Sequence, residues 1–316
     1  MASAKIHIVS TDDAFLAALH PQLAWFGLDV VLARDLIQAT TLVATGEENI
    51  VIYDLEFGGD AAAHLACQAA RRSRTLLVAD CSNAEVIQLL GQFPRLDHVI
   101  GKRLEAGGGS LSTVLRRLLG QGPVDLGSVL APGGSVVTER IADYRHTAGH
   151  LQKLHAYASA LGCFDTFADL ATSVAWELVM NGLFDAPLDQ ATGHPKYAHL
   201  PRSEGLIVDD AETVTLAYGH DAHHLAIAVT DPSGTLSRAA VVQSLTRCLR
   251  EGRDQIRLKS SGAGIGLYML FNSVSFLIFE VRPHQRTTVI AGLSRSRRLK
   301  DFEAYIRSVS FFGERS

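Results

Sequence analysis

Over the first 120 residues, short apolar runs alternate with helix-length segments, and this alternation limits the possible folds more than any other feature of the sequence. The runs are Ile6-His7-Ile8-Val9, Leu28 to Leu32, Ile50-Val51-Ile52-Tyr53, Leu76-Leu77-Val78 and His98-Val99-Ile100. Strands that are apolar on both faces and separated by helices belong to a parallel sheet covered on both faces. A last helix, around Leu111 to Leu119, closes this unit. Gly120-Gln121-Gly122-Pro123 and Ala131-Pro132-Gly133-Gly134 follow, rich in breakers and without periodicity, and they place a linker at 122–139.

The chain of 316 residues is long enough for two cores, and 47% hydrophobic with 20% charged residues is the composition of a folded globular protein. A net charge of −4 offers no general attraction to phosphate backbones or anionic lipid, which disfavours nucleic acid and membrane as partners. Cys67, Cys81, Cys163 and Cys248 form no CxxC pair and no Cys/His cluster of zinc spacing, so they read as ordinary reduced residues. The start, MASAKIHIVSTDD, reaches polar and acidic residues before any signal-peptide run, and no window approaches ~20 uninterrupted apolar residues. A cytoplasmic protein is expected.

After the linker, Val137 to Leu161 and Thr166 to Phe184 carry apolar positions at helical spacing. Strand-like runs follow at Thr213 to Tyr218, Leu225 to Thr230, Phe276 to Val281 and Thr287 to Leu293. Helices followed by strands describe an α+β layer, unlike the first half. Three segments in this half carry chemistry. Glu177, Asn181 and Asp185 are spaced by four, a polar row on one helix face beside the apolar stripe of Leu170, Val174 and Leu178. Asp231-Pro232-Ser233-Gly234 ends a strand in a carboxylate and a turn. Gly262, Gly264 and Gly266, in Ser261-Gly262-Ala263-Gly264-Ile265-Gly266-Leu267, let backbone N–H groups approach phosphate oxygens at a helix N-terminus. Taken singly, such segments are more often a solvated helix face, a turn former and a plain turn.

In that order, followed by the late strand with Arg286-Thr287-Thr288-Val289, the segments resemble the GHKL ATPase superfamily of gyrase, histidine kinases and the anti-sigma-factor serine kinases. The resemblance covers about residues 140–293. It implies that ATP and Mg²⁺ are the cofactors. Asn181 would hold the Mg²⁺, Asp231 would accept from the adenine amino group, and Thr288 would support the adenine site through water. Gly262, Gly264 and Gly266 would form the phosphate cradle, with Asp185 and Gly234 also in the nucleotide site. One departure stands out: Ser233 occupies the position that is usually glycine in the first box, and Gly234 follows it.

Glu177 bears on the chemistry. A hydroxyl must lose a proton as it attacks phosphorus, whereas a neutral imidazole need not. The resemblance places Glu at this position in gyrase-type ATPases and anti-sigma serine kinases, and not typically in histidine kinases. His146 lacks the context of a phosphoacceptor histidine, and His146, His150 and His155 read as surface or packing residues. Arg238, Arg247, Arg250, Arg253, Arg257 and Lys259 fill a lid-sized stretch that is either a phosphate clamp or a solvated helix.

The first half, with Asp54 ending the third apolar run and Lys102 after the fifth, resembles response-regulator receiver domains over residues 4–120. In that family an acid pair after strand one holds Mg²⁺, the Asp takes a phosphoryl group, a Thr or Ser follows strand four and a Lys follows strand five. Here Ser10 and Thr11 stand in the acid positions, with Asp12 and Asp13 two residues late. Ala79 stands where the hydroxyl belongs, and Arg103 replaces the Pro after Lys102. A pseudo-receiver that docks or dimerises is expected, unless a shifted loop brings Asp12 or Asp13 into the pocket.

The expected architecture is an α/β flavodoxin-like receiver domain with a parallel five-stranded sheet at 1–121. An α+β Bergerat-type ATP-binding domain, with helices on one face of a mixed sheet, follows at 140–294, and a tail helix at 295–316. The expected function is a signalling regulator that phosphorylates a protein Ser or Thr. The alternatives are a non-catalytic nucleotide-binding scaffold and a histidine-kinase-like phosphotransferase. The partner would be a regulatory protein of the anti-anti-sigma or response-regulator type, and a homodimer is compatible with the reading.

Overall fold

The computed structural model describes residues 5–44, 50–57, 66, 74–102, 109–131, 133–189, 192–197, 200, 205–256, 265–304 and 307–313. The chain divides into two compact units, Met1–Pro123 with Tyr305–Ser310, and Val124–Ala304 with Phe311–Ser316.

In the first unit, β1 (Lys5–Val9), α1 (Asp13–Ala24), β2 (Asp29–Ala33), α2 (Leu36–Ala44) and β3 (Ile50–Asp54) are followed by β4 (Arg74–Ala79), α3 (Asn83–Gln92), β5 (His98–Gly101) and α4 (Ser110–Leu118). The strands lie in the order β2-β1-β3-β4-β5 and every pair is parallel, with Ile6 opposite Ile50, Ile52 opposite Leu76 and Leu77 opposite Val99. This is the flavodoxin-like order, in which the direction of winding reverses between β1 and β3 and opens a crevice at their carboxyl ends. All five residues of β3 are buried, as an interior parallel strand requires. Phe15, Leu19 and Leu23 recur every fourth residue in α1 and turn one buried stripe to the sheet. Side chains buried this fully contribute about 1.5–3 kcal/mol each.

The second unit contains α5 (Leu126–Val129), β6 (Val136–Ile141), α6 (Thr147–Ser159), α7 (Phe167–Met180), β7 (Val214–His220), β8 (His224–Asp231), α8 (Arg238–Ile256), α9 (Ile265–Ser273), β9 (Phe276–Arg282), β10 (Arg286–Ser294) and α10 (Leu299–Glu303). Its strands lie in the order β9-β10-β8-β7-β6, and the sheet expected to be mixed is antiparallel in each of these pairs. Helix α7 lies on β7, β8 and β10 through an apolar stripe that includes Ala171, Val174, Ala175 and Leu178, and α6 and α9 pack against α7.

Two expected elements differ. Val137 to Leu161, read as one helix from the linker onward, is β6 followed by α6, and the linker stretch itself carries α5. Residues 136–141 pair with β7, and that pairing overrides an apolar spacing too short to specify a helix. Among the described residues, the tail read as a helix over 295–316 is helical in α10 alone, and Ser308–Phe312 forms β11. Val309 and Ser310 pair antiparallel with Val99 and His98 of β5. The alternating Ser-Val-Ser-Phe-Phe composition suits a strand better than a helix.

Candidate functional site

In the first unit, the chain leaves β1 at Ser10, which is fully buried, and starts α1 from Asp12. Asp12 caps this helix, its Oδ1 accepting the N–H groups of Ala14 and Phe15 at 2.9 and 3.0 Å. The cap holds the other carboxylate oxygen at the mouth of the crevice. Asp54 ends β3 with only 1% of its surface exposed. Its Oδ2 accepts from Ser10 Oγ at 2.6 Å and its Oδ1 from the Glu56 N–H at 3.2 Å. Lys102, placed by the end of β5, brings its ammonium to 2.8 Å from Asp12 Oδ2 and 3.1 Å from Asp54 Oδ2, and also donates to Glu56.

Burial works against the charge on Lys102, but the bonds to Asp12, Glu56 and Asp54 outweigh it and lift the ammonium above its ordinary pKa. The Lys102 hydrogen bond in turn holds Asp12 below the ordinary carboxylate value. The pocket thus joins Asp12, Asp54 and Lys102 with Ser10 and Glu56. Asp13 stays outside it, exposed and paired with Arg34 at 2.9 Å, because the helix start turns it to solvent. Glu56 was legible only as an acid two residues after Asp54, a spacing without meaning until the turn at Leu55–Phe57 folds it back.

Mg²⁺ is the ion that the receiver resemblance implies. Oxygens of Asp12, Asp54 and Glu56 lie within 4.8 Å of one another, so the donor set fits one hard divalent cation in number and type. The shortage of acids expected from Ser10 and Thr11 is made good by Asp12 and Glu56. Lys102 stands among the same oxygens and competes for them. Ala79 is buried at the end of β4 and offers no hydroxyl.

In the second unit, Glu177 is half-buried on α7. A Cβ placed on Gly266 would lie 1.7 Å from Glu177 Oε1, so the carboxylate rests against the first turn of α9, where helix N–H groups favour an anion. Asn181 stands one turn on and opens a π turn, Asn181–Asp185, closed by the Ala186 N–H donating to Asn181 O at 2.9 Å. Such wider turns are frequent at functional sites. Asp185 lies exposed on it.

Asp231 is buried at the end of β8, opposite Thr287, and its Oδ1 accepts the Ser233 N–H at 2.9 Å. Burial raises its pKa, and the hydrogen bond from Ser233 opposes the rise. Gly234 has φ +61°, and a Cβ there would lie 2.2 Å from Arg282 O. Thr288 is buried with its hydroxyl 3.1 Å from that of Thr230. The structure therefore brings Glu177 to Gly266, and Asp231 to Gly234 and the Thr287 strand. Gly262, Gly264, Arg257 and Lys259 lie outside the described residues. Arg238 sits 5.5 Å over the Phe311 ring, while half-buried His150 lies 3.1 Å from Glu139 and exposed His155 lies 3.0 Å from Asp169. The donor types present fit a magnesium nucleotide: an amide at Asn181, a buried carboxylate at Asp231 and a glycine at the helix start.

No protein-family model and no curated protein matches the sequence. Among solved structures, a response regulator from Thermotoga maritima is matched over 37% of this chain and 98% of its own, at 15% identity and a TM-score of 0.32. On its strand order and on the Asp12, Asp54, Glu56 and Lys102 pocket, the first unit is receiver-like, and the second is an antiparallel α+β layer.

Proposed function

We propose that the chain is a signalling regulator in which the receiver-like unit governs a GHKL-type unit that uses Mg-ATP to phosphorylate a serine or threonine of a regulatory protein. The observation that carries the proposal is the Glu177 carboxylate held against the first turn of α9 at Gly266, one helical turn from Asn181. Mg-ATP supplies an electrophilic phosphoryl group whose charge the metal offsets. Asn181 would hold the metal, Gly266 would present backbone N–H groups to phosphate, and Asp231 with Thr288 would orient the base. Glu177 would take the proton from the attacking hydroxyl as its oxygen bonds to phosphorus and the bond to the ADP oxygen breaks. Lys102, already bridging three carboxylates, supports a docking role for the first unit rather than phosphoryl acceptance.

A second reading, a nucleotide-binding scaffold without transfer, is supported by Asp231, whose acceptor positions face Ser233, Gly234 and Thr287 of its own surroundings. The two readings separate when the full chain is incubated with labelled ATP and a candidate anti-anti-sigma-type partner. Acid-stable phosphate on the partner, lost with Glu177→Ala, is expected. Acid-labile phosphate would refute hydroxyl transfer in favour of His or Asp chemistry, and no phosphate with nucleotide bound leaves the scaffold.

A further inference from the structure

The parallel sheet of the first unit has one edge closed and one open. At β5 the chain adds β11 as an antiparallel neighbour, whereas β2, at the opposite edge, pairs with β1 and, among the described residues, with nothing on its outer side. The outer N–H and C=O groups of β2 are a template for a further strand. Successive side chains of a strand point to opposite faces, and Val30 and Val31 are 42% and 38% exposed, so both faces are open at this edge. Large exposed side chains flank the strand in sequence, Trp25 before it and Ile37 after it, and the Arg116 guanidinium lies 4.5 Å over the Trp25 ring. Natural edges are usually guarded by lysine, proline, other charges or a bulge. β6, the edge strand of the second unit, follows that rule with Glu139 and Arg140. Asp29-Val30-Val31-Leu32-Ala33 has neither lysine nor proline, and its charge stands at the first residue.

The residue pattern of this edge is complementary to itself. We infer that β2 pairs antiparallel with β2 of a second copy of this chain, about a two-fold axis through Val31. A two-fold axis perpendicular to a sheet keeps every side chain on its own face, so one residue at the centre must meet its own copy. Centred on Val31, the pairing sets Val31 against Val31, Val30 against Leu32 and Asp29 against Ala33, with no like charges opposed. Centred on Val30 it would set Asp29 against Val31, and centred on Leu32 it would set Arg34 against Val30, so either shift spoils the apolar match. The ends agree in sign as well. Antiparallel pairing brings Asp29 of one copy beside Arg34 of the other, next to Ala33, whereas parallel pairing in register would set Asp29 beside Asp29. Arg34 is half exposed, and its ion pair with Asp13 at 2.9 Å holds it at that end.

Equilibrium sedimentation of the full chain at rising concentration tests the inference, and the mass should climb from that of one chain to that of two. Val31→Lys sets two ammonium groups face to face at the axis and should weaken dimerisation at least tenfold, with circular dichroism as in the parent because the position is exposed. Val31→Cys reads the register. Opposed Cα atoms of an antiparallel pair are about 4.5 or 5.5 Å apart, and a disulfide spans either distance. Mild oxidation should therefore link the two introduced thiols, which peptide mass spectrometry identifies. Asp29→Cys is the control: its two thiols would lie about 13 Å apart along the strand and should stay unlinked. A parent that stays monomeric throughout, a dimer undiminished by Val31→Lys, no link in Val31→Cys, or an equal link in Asp29→Cys overturns the inference. These readouts involve no nucleotide, so the function proposed above is tested separately.

Discussion

Replacing Lys102 with methionine removes the cation that bridges three carboxylates among the described residues while keeping most of the side-chain volume. The cost follows from burial. The Lys102 and Asp54 side chains are 10% and 1% exposed, and breaking a buried pair from one side costs about 3–5 kcal/mol because the remaining charge stays desolvated. Asp12 and Glu56 are 36% and 51% exposed, so solvent screens their bonds to Lys102 and these add little. Ser10 still donates to Asp54, which places the expected loss near the lower end, about 3 kcal/mol at neutral pH. In a Trp176→Phe background Trp25 alone reports the first unit, and with a urea slope of about 2 kcal/mol/M its midpoint should fall by roughly 1.5 M. Adding Asp54→Asn should restore most of the loss, because it removes the unpaired charge. A loss under about 1 kcal/mol that Asp54→Asn fails to restore would refute this account of the pocket.

Millimolar Mg²⁺ should barely move the Trp25 urea midpoint of the parent, where Lys102 holds the oxygens, but raise it in Lys102→Met, because a cation that binds only the folded state stabilises it; equal shifts in both would contradict the competition. Lys102 is raised above its ordinary value, so its contribution should persist below about pH 10.4 and fade as pH climbs towards the folded value. The lowered Asp12 should contribute above about pH 3.9 and lose its share as acid protonates it, and a midpoint that falls between pH 6 and 9 would count against both. Gly266→Ala meets only the mobile end of Glu177, so stability should change by less than about 1 kcal/mol while phosphoryl transfer is lost; retained transfer would show that the carboxylate position is immaterial. Gly234→Ala meets backbone at Arg282 and needs positive φ, so thermal unfolding of the second unit should show a loss above about 2 kcal/mol, and a neutral result would mean the turn is not held there.

The first unit was legible because a buried parallel strand must be apolar throughout, so the runs of β1, β3, β4 and β5 stand out against their helices, while β2 is a largely exposed edge strand. The second was legible in α7, whose periodicity is long, and less so in β6 and β11, each short and recognisable only through the partner strand. Of the carboxylate pocket, Asp54 and Lys102 were visible as residues at strand ends. Asp12 depended on where α1 begins, a choice made by its own capping bonds, and Glu56 on a single turn after β3. Proximity of Glu177 to Gly266 was beyond reach of spacing, since 89 positions of chain separate them and only the packing of α9 on α7 joins them.

The proposal to be tested first is that the second unit grips a magnesium nucleotide through Asn181 beside the Glu177 carboxylate. Isothermal titration of the full chain with ATP, with and without Mg²⁺, tests it most directly. The account predicts saturable one-to-one binding that requires the metal and disappears in Asn181→Ala. Absence of heat from the parent chain, or binding undiminished by Asn181→Ala, would contradict it.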